Sequence, residues 1–343
     1  MRAHLNAYTG YGELIIQLFK HLSLAGIFCP IRPIAIDEQW GKNSAIPVEM
    51  KAQIVQCRQP EEWELLVAPP DNTPTPGRKT IFFTMYESTE MPAGFVRNLN
   101  QAELVIVPCK WNAVCFKEGG VTRPIAVCPL GFDPAVYVPT PVASHGPTIF
   151  GVAGRTRHCA KRKGVQEAID LFLKTFTGNE AVRLHVKIHS DDHIREVTDP
   201  RIKVTRSHFE PYEIAQWLGG LTCYLTLARA EGYGLWALQA LACGRPVIGC
   251  KYSGMADFLT AENAFIVPHR EVDAISGESN VQYLGRWSEP ILKEAGAILR
   301  GVYLHRAATI DRGMAGHQTA QGLTWEKSTK QIMATLTKAG VFK

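Results

Sequence analysis

The sequence lacks long apolar runs, a fixed-period repeat and paired cysteine spacings, and each absence argues against a class of protein. No apolar stretch approaches the roughly 18 residues that a membrane-spanning helix needs. The start, MRAHLNAYTGYGELII, lacks the basic and then apolar order of a signal peptide. The nine cysteines are odd in number and include no C-x-x-C pair, unlike a disulfide framework or a zinc site. We therefore expect a cytoplasmic protein with reduced, buried thiols.

Basic charge is scarce in the first part of the chain and in surplus in the second. Residues 1–140 contain 12 Lys and Arg against 13 Asp and Glu, whereas residues 141–343 contain 25 against 19. The surplus favours an anion-binding site in the second half, although a solvated surface explains it equally well. With 343 residues, 46% of them hydrophobic, the chain is typical of a globular protein with two domains.

Short apolar runs alternate with helix-period stretches on both sides of a proline-rich segment. In the first half these runs lie at 63–70, 80–87, 102–110 and 124–131. Each is closed by a turn signal, as in strands of a parallel sheet that helices cover on both faces. The alternation restarts at IFGVAG (149–154) and continues to PVIGC (246–250). The pattern predicts an α/β protein with two Rossmann-like, doubly wound domains.

The segment VYVPTPVASHGPT (136–148) separates the two alternating regions. It has three prolines and no periodicity, which is typical of a linker. We place a first domain at 1–138, the linker at 139–148 and a second domain at 149–323. The remaining residues, 324–343, begin with an N-cap and have a helical period, so they predict a helix. We expect this helix to pack back toward the first domain.

One acid, Glu231, lies in a glycine-flanked turn between a strand and a helix. The predicted helix begins near Leu235, and the unpaired N–H groups of its first turn attract an anion such as phosphate. Gly232 and Gly234 would allow a ligand to approach the backbone closely. Since phosphate would repel a carboxylate, Glu231 is better suited to hydroxyl groups attached to that phosphate, as in a phosphorylated sugar. The alternative is that Glu231 only caps the turn.

A basic loop, GRTRHCAKRKG (154–164), directly follows the first strand of the second domain. It contains Arg155, Arg157, Lys161, Arg162 and Lys163. The carboxyl edge of an open α/β sheet is where ligands bind, and a guanidinium together with an ammonium suits a diphosphate. A solvated loop or a nucleic-acid patch remains the alternative.

Together these motifs resemble the retaining GT-B glycosyltransferases of family 4. That family has a strand-end Arg and Lys, then E-G-[FY]-G-L, a helix and a G-x-P-V-I strand, and this chain has EGYGLWALQALACGRPVIG (231–249). TGYGELIIQL is similar to the family's N-terminal glycine loop. VPCKWNAVCF and VCPLGFD are similar to its late N-domain segments, and TWEKS to its closing helix. The resemblance implies a GT-B fold, whose two domains face each other across a cleft.

The resemblance also implies an activity. It is the transfer of a sugar from a UDP- or GDP-sugar to an acceptor hydroxyl, with retention of the anomeric configuration. Arg155 and Lys163 would hold the donor diphosphate, while Glu231 and the amides of 232–235 would hold the sugar and phosphate. The donor-binding positions are Gly10, Gly12, Gly154, Phe209, Gly232, Tyr233, Gly234, Leu235 and Gln239. Phe209 would flank the base, unless it serves only in packing.

Two positions depart from the family pattern. Gln239 replaces a second glutamate that binds the ribose, and its amide can still accept a hydrogen bond from a ribose hydroxyl. Its alternative is a solvent-facing position on the helix. Tyr86 and Glu87 stand where many relatives have a His-Asp pair. Glu87 would then be catalytic by orienting the acceptor hydroxyl, unless it caps a helix. These departures keep open a second function, that of a non-catalytic nucleotide-sugar-binding protein.

Metal and cofactor sites are not expected. His185, His189 and His193 are spaced for zinc only on a helix, whereas RLHVKIH alternates as a strand. Asp191 and Asp192 are expected to form a polar loop, because GT-B enzymes generally need no metal pair. The nucleotide sugar is a substrate, so we expect no cofactor. The sequence leaves the sugar, base, acceptor and oligomeric state open; the acceptor is a glycan, a small molecule or, as a minority hypothesis, modified DNA.

Overall fold

The computed structural model describes most of the chain and divides it into two compact units. The described residues are 1–5, 10–27, 31–36, 49–50, 62–143, 145–157, 159–275 and 282–342. Unit 1 comprises Met1–Tyr86, Glu90–Gly131 and Leu323–Lys343. Unit 2 comprises Glu87–Thr89 and Phe132–Gly322. Each unit contains a six-stranded parallel sheet, so the predicted α/β class is confirmed.

The sheet of unit 1 has the strand order 2-1-3-4-5-6. Its strands are β1 (Arg2–Leu5), β2 (Arg32–Ile36), β3 (Trp63–Val67), β4 (Lys79–Phe83), β5 (Leu104–Val107) and β6 (Ile125–Val127). The helices whose ends lie within the described residues of unit 1 include α1 (Gly10–Leu24), α2 (Ala93–Leu99) and α3 (Lys110–Glu118). Leu66, Phe82 and Val105 on three of the strands are fully buried, as expected where helices cover both faces.

Unit 2 has a sheet of order 6-5-4-1-2-3 when its strands are counted from its own first strand. The strands are β7 (Thr148–Ala153), β8 (Val182–Ile188), β9 (Ile202–Arg206), β10 (Cys223–Leu225), β11 (Val247–Gly249) and β12 (Ala264–Ile266). This is the dinucleotide-binding order, and its switch point lies between β7 and β10, which are paired. Residues 139–143 and 145–147, in the predicted linker, have no helix or strand.

Helices and one hairpin complete unit 2. The helices are α4 (Ala160–Lys163), α5 (Val165–Thr175), α6 (Pro211–Gly219), α7 (Leu235–Ala242), α8 (Leu292–Leu304) and α9 (Arg306–Ala320), with a 3₁₀ turn at Ser253–Asp257. The antiparallel strands β13 (His269–Asp273) and β14 (Arg286–Pro290) form a separate two-stranded sheet. This hairpin was not among the elements predicted from the sequence.

The last helix, α10 (Trp325–Lys338), is part of unit 1. Its Thr324 cap accepts a hydrogen bond from the Lys327 amide at 3.3 Å. A Cβ atom added to Gly131 would lie 2.3 Å from the Trp325 nitrogen, so only glycine allows this approach. The Ser328 hydroxyl donates to the Pro129 carbonyl at 2.5 Å. Close backbone contact and hydrogen bonding thus join α10 to the end of the unit 1 sheet.

Across the described part of the chain, no helix combines the length and apolar composition that a bilayer crossing requires.

Candidate functional site

The two motifs predicted to bind the donor meet at the switch point of unit 2. The basic loop begins after β7, and the glycine turn follows β10, which is hydrogen-bonded to β7. Carboxyl ends of neighbouring parallel strands lie at one edge of the sheet, where ligands bind in open α/β folds. The strand order therefore accounts for the meeting of two segments that are about seventy residues apart in the sequence.

The 3₁₀ turn forms hydrogen bonds with the glycine turn and fixes its backbone. The amide of Glu231 donates to the Ser253 hydroxyl at 2.9 Å, and the amide of Gly254 donates to the Glu231 carbonyl at 3.0 Å. A Cβ atom on Gly254 would lie 2.4 Å from Tyr233 Cα. Ser253 has a φ of 50°, which is uncommon outside glycine, and the hydrogen bonds of Ser253 and Gly254 with Glu231 hold the chain in this conformation.

Gly234 begins the helix that follows the turn. It is the N-cap of α7 and has a φ of 97°, where side chains are strained. A Cβ atom there would also lie 2.6 Å from Met255 Cγ. A pocket opens at this helix N-terminus. Its lining residues are Tyr224, Thr226, Glu231, Gly234, Leu235, Trp236, Ala237 and Met255.

Glu231 and Lys163, two of the residues predicted to hold the donor, are in direct contact. The Lys163 ammonium donates to both carboxylate oxygens of Glu231, at 2.6 and 2.7 Å. Their side chains are 18% and 16% exposed, so the pair is largely desolvated. Lys163 ends α4, and the next residue, Gly164, would place a Cβ atom 2.5 Å from the Leu227 carbonyl oxygen. Because position 164 is a glycine, the end of α4 can lie close to the segment that follows β10. Lys163 is thereby placed next to that segment.

Arg155 holds different carboxylates from those held by Lys163. Its Nη2 donates to Asp191 at 3.0 Å, and its Nε lies 3.3 Å from Asp192. Arg157 also pairs with Asp191, at 3.2 Å. Burial raises the pKa of Asp191, but the His189 hydrogen bond and the Arg155 charge outweigh it and lower the pKa to about 2. Asp191 is therefore an ionised partner of Arg155.

Asp192 organises the backbone of the basic loop. It is 1% exposed, and its carboxylate accepts hydrogen bonds from the amides of Thr156 at 3.0 Å, Arg157 at 2.7 Å and His189 at 2.9 Å. These bonds fix the start of the loop after β7. The Asp191–Asp192 pair thus holds arginine and backbone N–H groups. Across the described ranges, no cluster of three or more His, Cys, Asp or Glu side chains has a metal-binding arrangement.

Gly154 and Gln239 lie at close-packed positions. A Cβ atom on Gly154 would be 3.1 Å from Val165 Cγ2 and 3.3 Å from Lys163 Cβ. Gln239 lies within α7 and is only 5% exposed, so the solvent-facing alternative for this residue was wrong.

Phe209 packs against a lysine at the end of β8. The Lys187 ammonium lies 5.1 Å from the centroid of the Phe209 ring and 5.6 Å from that of Trp236. Burial lowers the pKa of Lys187 to about 8, against the opposing pull of Asp192. Phe209 therefore has a packing partner. Because Trp236 also lines the pocket at α7, this aromatic group adjoins the pocket.

The predicted glycine loop at the N-terminus belongs to unit 1. Gly10 begins α1 and is exposed, whereas Gly12 is buried in its first turn. Between them, Tyr11 accepts a hydrogen bond from the Met85 amide at 3.0 Å. The loop thus lies beside the residues that follow β4 in the same unit.

Glu87 is held in unit 2 by the hairpin. The Trp287 indole donates to the Glu87 carbonyl at 2.6 Å, and the neighbouring Arg286 amide donates to Thr89 at 2.7 Å. The Glu87 carboxylate lies 3.7 Å from Nη2 of Arg162. Sequence reasoning grouped Arg162 with the other loop cations and missed its burial, for which the sequence contains no signal.

Comparisons with known proteins agree with this geometry. Residues 147–279 match the family model described as glycosyl transferases group 1. A search of curated proteins found no significant match. Among solved structures, sucrose-phosphate synthase from Thermosynechococcus elongatus is 13% identical, with a TM-score of 0.69 over 99% of this chain and 95% of that one.

Two further structures are also similar. Anabaena HepE, solved with UDP and glucose, is 15% identical, with a TM-score of 0.68 over 98% of this chain and 100% of that one. Staphylococcus aureus TarM is 13% identical, with a TM-score of 0.59 over 80% of this chain. The chain spans about half the length of TarM, at 54%. At such low identities these structures establish the fold. Residues 147–279 are thus similar to glycosyl transferases of group 1, and the chain has the GT-B fold.

Proposed function

We propose that the protein transfers a sugar from a nucleoside-diphosphate sugar to an acceptor hydroxyl and retains the anomeric configuration. The observation that carries the proposal is the Lys163–Glu231 pair at the N-terminus of α7, beside the β7–β10 switch point. A cation, a carboxylate and the N-terminus of a helix meet there. Their combined chemistry suits a ligand that carries both phosphate and hydroxyl groups.

Each group has a separate role in this reaction. Lys163 and Arg155 stabilise the negative charge that develops on the departing diphosphate, and each such interaction contributes roughly 3 kcal/mol to the transition state. The amides of 232–235 bind a phosphate oxygen. Glu231 accepts hydrogen bonds from sugar hydroxyls and holds Lys163 in place until the donor binds. Both cations are already paired, so donor binding requires them to exchange a carboxylate for phosphate.

Proton transfer does not need a protein base in this scheme. An oxygen of the leaving diphosphate takes the proton of the acceptor hydroxyl, while Glu87 orients that hydroxyl. Gln239 accepts a hydrogen bond from the ribose in place of a carboxylate. UDP is the nucleotide that we favour, because the similar HepE structure holds UDP and glucose.

We also propose that the reaction needs neither a metal ion nor a cofactor, because lysine and arginine supply the positive charge. Activity that survives EDTA would support this, and activity restored only by a divalent cation would contradict it. A cytoplasmic location fits the seven free cysteines of the described residues, six of which are buried.

The test is donor consumption. The protein is incubated with UDP-, GDP- and ADP-sugars and a panel of glycan and small-molecule acceptors, and released nucleotide and product are measured. We expect turnover of at least one donor, with the product in the configuration of the donor. Glu231→Ala should reduce kcat by about 100-fold or more, and Glu294→Ala, an exposed acid on α8, should leave it unchanged. Binding of a donor without any turnover would instead support a nucleotide-sugar-binding protein.

A further inference from the structure

We propose that Arg162 is a positioning residue that fixes Glu87 and Glu231 relative to each other. The inference rests on the proposed function of this site. Arg162 is 7% exposed, and its guanidinium lies between the two carboxylates. Its Nη1 is 3.7 Å from Glu231 Oε2, and its Nη2 is 3.7 Å from Glu87 Oε1. One buried cation thus faces both acids assigned to the reaction.

The backbone contacts of Arg162 support the same role. Its Nη1 donates to the Ala230 carbonyl at 2.9 Å, directly before Glu231. Its own carbonyl accepts from the Arg229 amide at 2.7 Å. Arg162 therefore fixes the main chain of residues 229–230 as well as the carboxylate that follows. The neighbouring Lys163 binds that carboxylate from the end of the same helix, α4.

The charge balance gives the buried arginine a role at this position. Glu87 and Glu231 are like charges, and Lys163 donates to Glu231 through both oxygens. Removal of Arg162 would leave Glu87 without its ion-pair partner in a partly buried position. The Glu87 carboxylate would then turn toward water, although the hairpin would still hold its backbone. Orientation of the acceptor hydroxyl would be lost, while the groups that hold the diphosphate would remain.

Arg162 also has an unused donor. Its Nε is buried and has no hydrogen-bond partner within the described part of the chain. Here one donor bonds a carbonyl, both terminal nitrogens face carboxylates, and the ring of Tyr283 lies 5.8 Å from the guanidinium carbon. Arg162 thus contacts both acids, although one of its own N–H donors is left without a hydrogen bond among the described residues.

The test compares Arg162→Met, Arg162→Lys, Glu87→Gln and the double variant Arg162→Met/Glu87→Gln. Steady-state turnover is measured with the donor and acceptor that the wild type uses. For Arg162→Met we expect kcat to fall by about tenfold or more, with the donor KM changed by less than about threefold. Arg162→Lys should recover part of the loss. The double variant should be about as slow as the slower single variant, because both changes remove the same orientation.

A control separates positioning from stability. Arg245 is also a buried arginine of unit 2, with an unpaired Nε, and it binds Thr140 at 2.6 Å. Arg245→Met should lower the melting temperature while kcat of the folded protein stays near the wild-type value. Multiplicative effects in the double variant, or an Arg162→Met kcat near wild type, would overturn the inference. A wild type that consumes no donor would instead contradict the proposed function.

Discussion

Arg155 and Lys163 each hold an acid of their own unit, so in the proposed function an entering diphosphate would compete with a carboxylate already in place. Asp191 is the competitor at Arg155, and its lowered pKa keeps it ionised throughout the neutral range. The arrangement keeps a partly exposed arginine ordered in the absence of donor. In the proposed function it would also weaken donor binding, because the partly exposed ion pair of Arg155 with Asp191 must be broken before the diphosphate binds.

Replacement of Asp191 by asparagine should therefore tighten nucleotide binding. Asparagine cannot neutralise Arg155, which then faces only the Asp192 carboxylate and offers more of its charge to the diphosphate. We expect the Kd for UDP, measured by titration calorimetry, to fall by about three- to tenfold at low salt, with a smaller change at high salt. Asp170→Asn, which removes an exposed acid paired with Arg195, is the matched control and should have no effect. Unchanged or weaker binding in Asp191→Asn would show that Asp191 does not compete.

Lys187 gives a second residue-scale prediction, on stability. Its pKa is about 8 in the folded chain, against 10.5 for an ordinary solvated lysine, because burial disfavours the charged form. Between these values the unfolded chain binds more protons, so the free energy of unfolding rises with pH. The slope from this group is at most about 1.4 kcal/mol per pH unit.

Urea denaturation at several pH values between 7 and 10.5 tests this prediction. Lys187→Met should be more stable than the wild type near neutral pH, because no buried charge remains, and the difference should shrink as pH rises. Lys293→Met, on the exposed side of α8, serves as the control and should follow the wild type. Parallel curves for the wild type and Lys187→Met would contradict the lowered pKa.

At the scale of elements, the site depends on two tight backbone junctions more than on any long helix. α7 has only eight residues. Its N-terminus is nevertheless fixed, because close contacts at Gly234 and Gly254 and the hydrogen bond to Ser253 hold the preceding turn in place. α4 is a single turn, and Gly164 directly follows its last residue. These glycines permit backbone contacts that a side chain would prevent.

A methyl group at position 254 should therefore displace the turn. In Gly254→Ala the new Cβ would meet Tyr233 Cα at 2.4 Å, so residues 231–233 must move. We expect a loss of nucleotide affinity of about tenfold or more and a destabilisation of about 1–3 kcal/mol. Gly301→Ala in α8 has open space around it and should be neutral or stabilising. Near-normal affinity in Gly254→Ala would mean that the turn does not bind the donor.

The sequence predicts these elements well where the signal is local. The strands β7, β10 and β11 lie within a residue or two of the apolar runs, apart from the later part of CYLTLA, which leaves the sheet after Leu225. The turn with Glu231 was found because glycine, acid and helix start are adjacent in the chain. The contact of Trp287 with Glu87 joins residues 200 positions apart, and no local pattern encodes it. Nor does the order of five basic residues reveal that Arg162 is the buried one.

At the scale of the whole molecule, the chain enters unit 2, returns to unit 1 and crosses between the units again. Glu87–Thr89 belongs to unit 2 although its neighbours on both sides belong to unit 1. The closing helix α10 completes unit 1 through Trp325, which is 1% exposed. A single domain boundary near residue 138 does not describe the placement of Glu87–Thr89, whereas the return of the closing helix to the first domain was itself expected from its sequence.

Gly131→Ala tests the attachment of α10. The added Cβ would lie 2.3 Å from the backbone of Thr324 and Trp325, so the helix must shift away from the rest of unit 1. We expect the free energy of unfolding of unit 1 to fall by about 1–3 kcal/mol, measured by urea denaturation with tryptophan fluorescence. Gly94→Ala in α2 meets only ordinary contacts and is the matched control. Equal stability of Gly131→Ala and wild type would show that α10 contributes little.

The discontinuity of unit 1 has a consequence for synthesis on the ribosome. Strands β1 to β6 are synthesised first. Their contact through Pro129 and Gly131 with α10 can form only after about 190 further residues have been synthesised. At typical elongation rates of about 5–20 residues per second, that wait lasts roughly ten seconds or more. The N-terminal sheet therefore spends this interval with the surface for its last helix uncovered, while the sheet of unit 2 can already be completed.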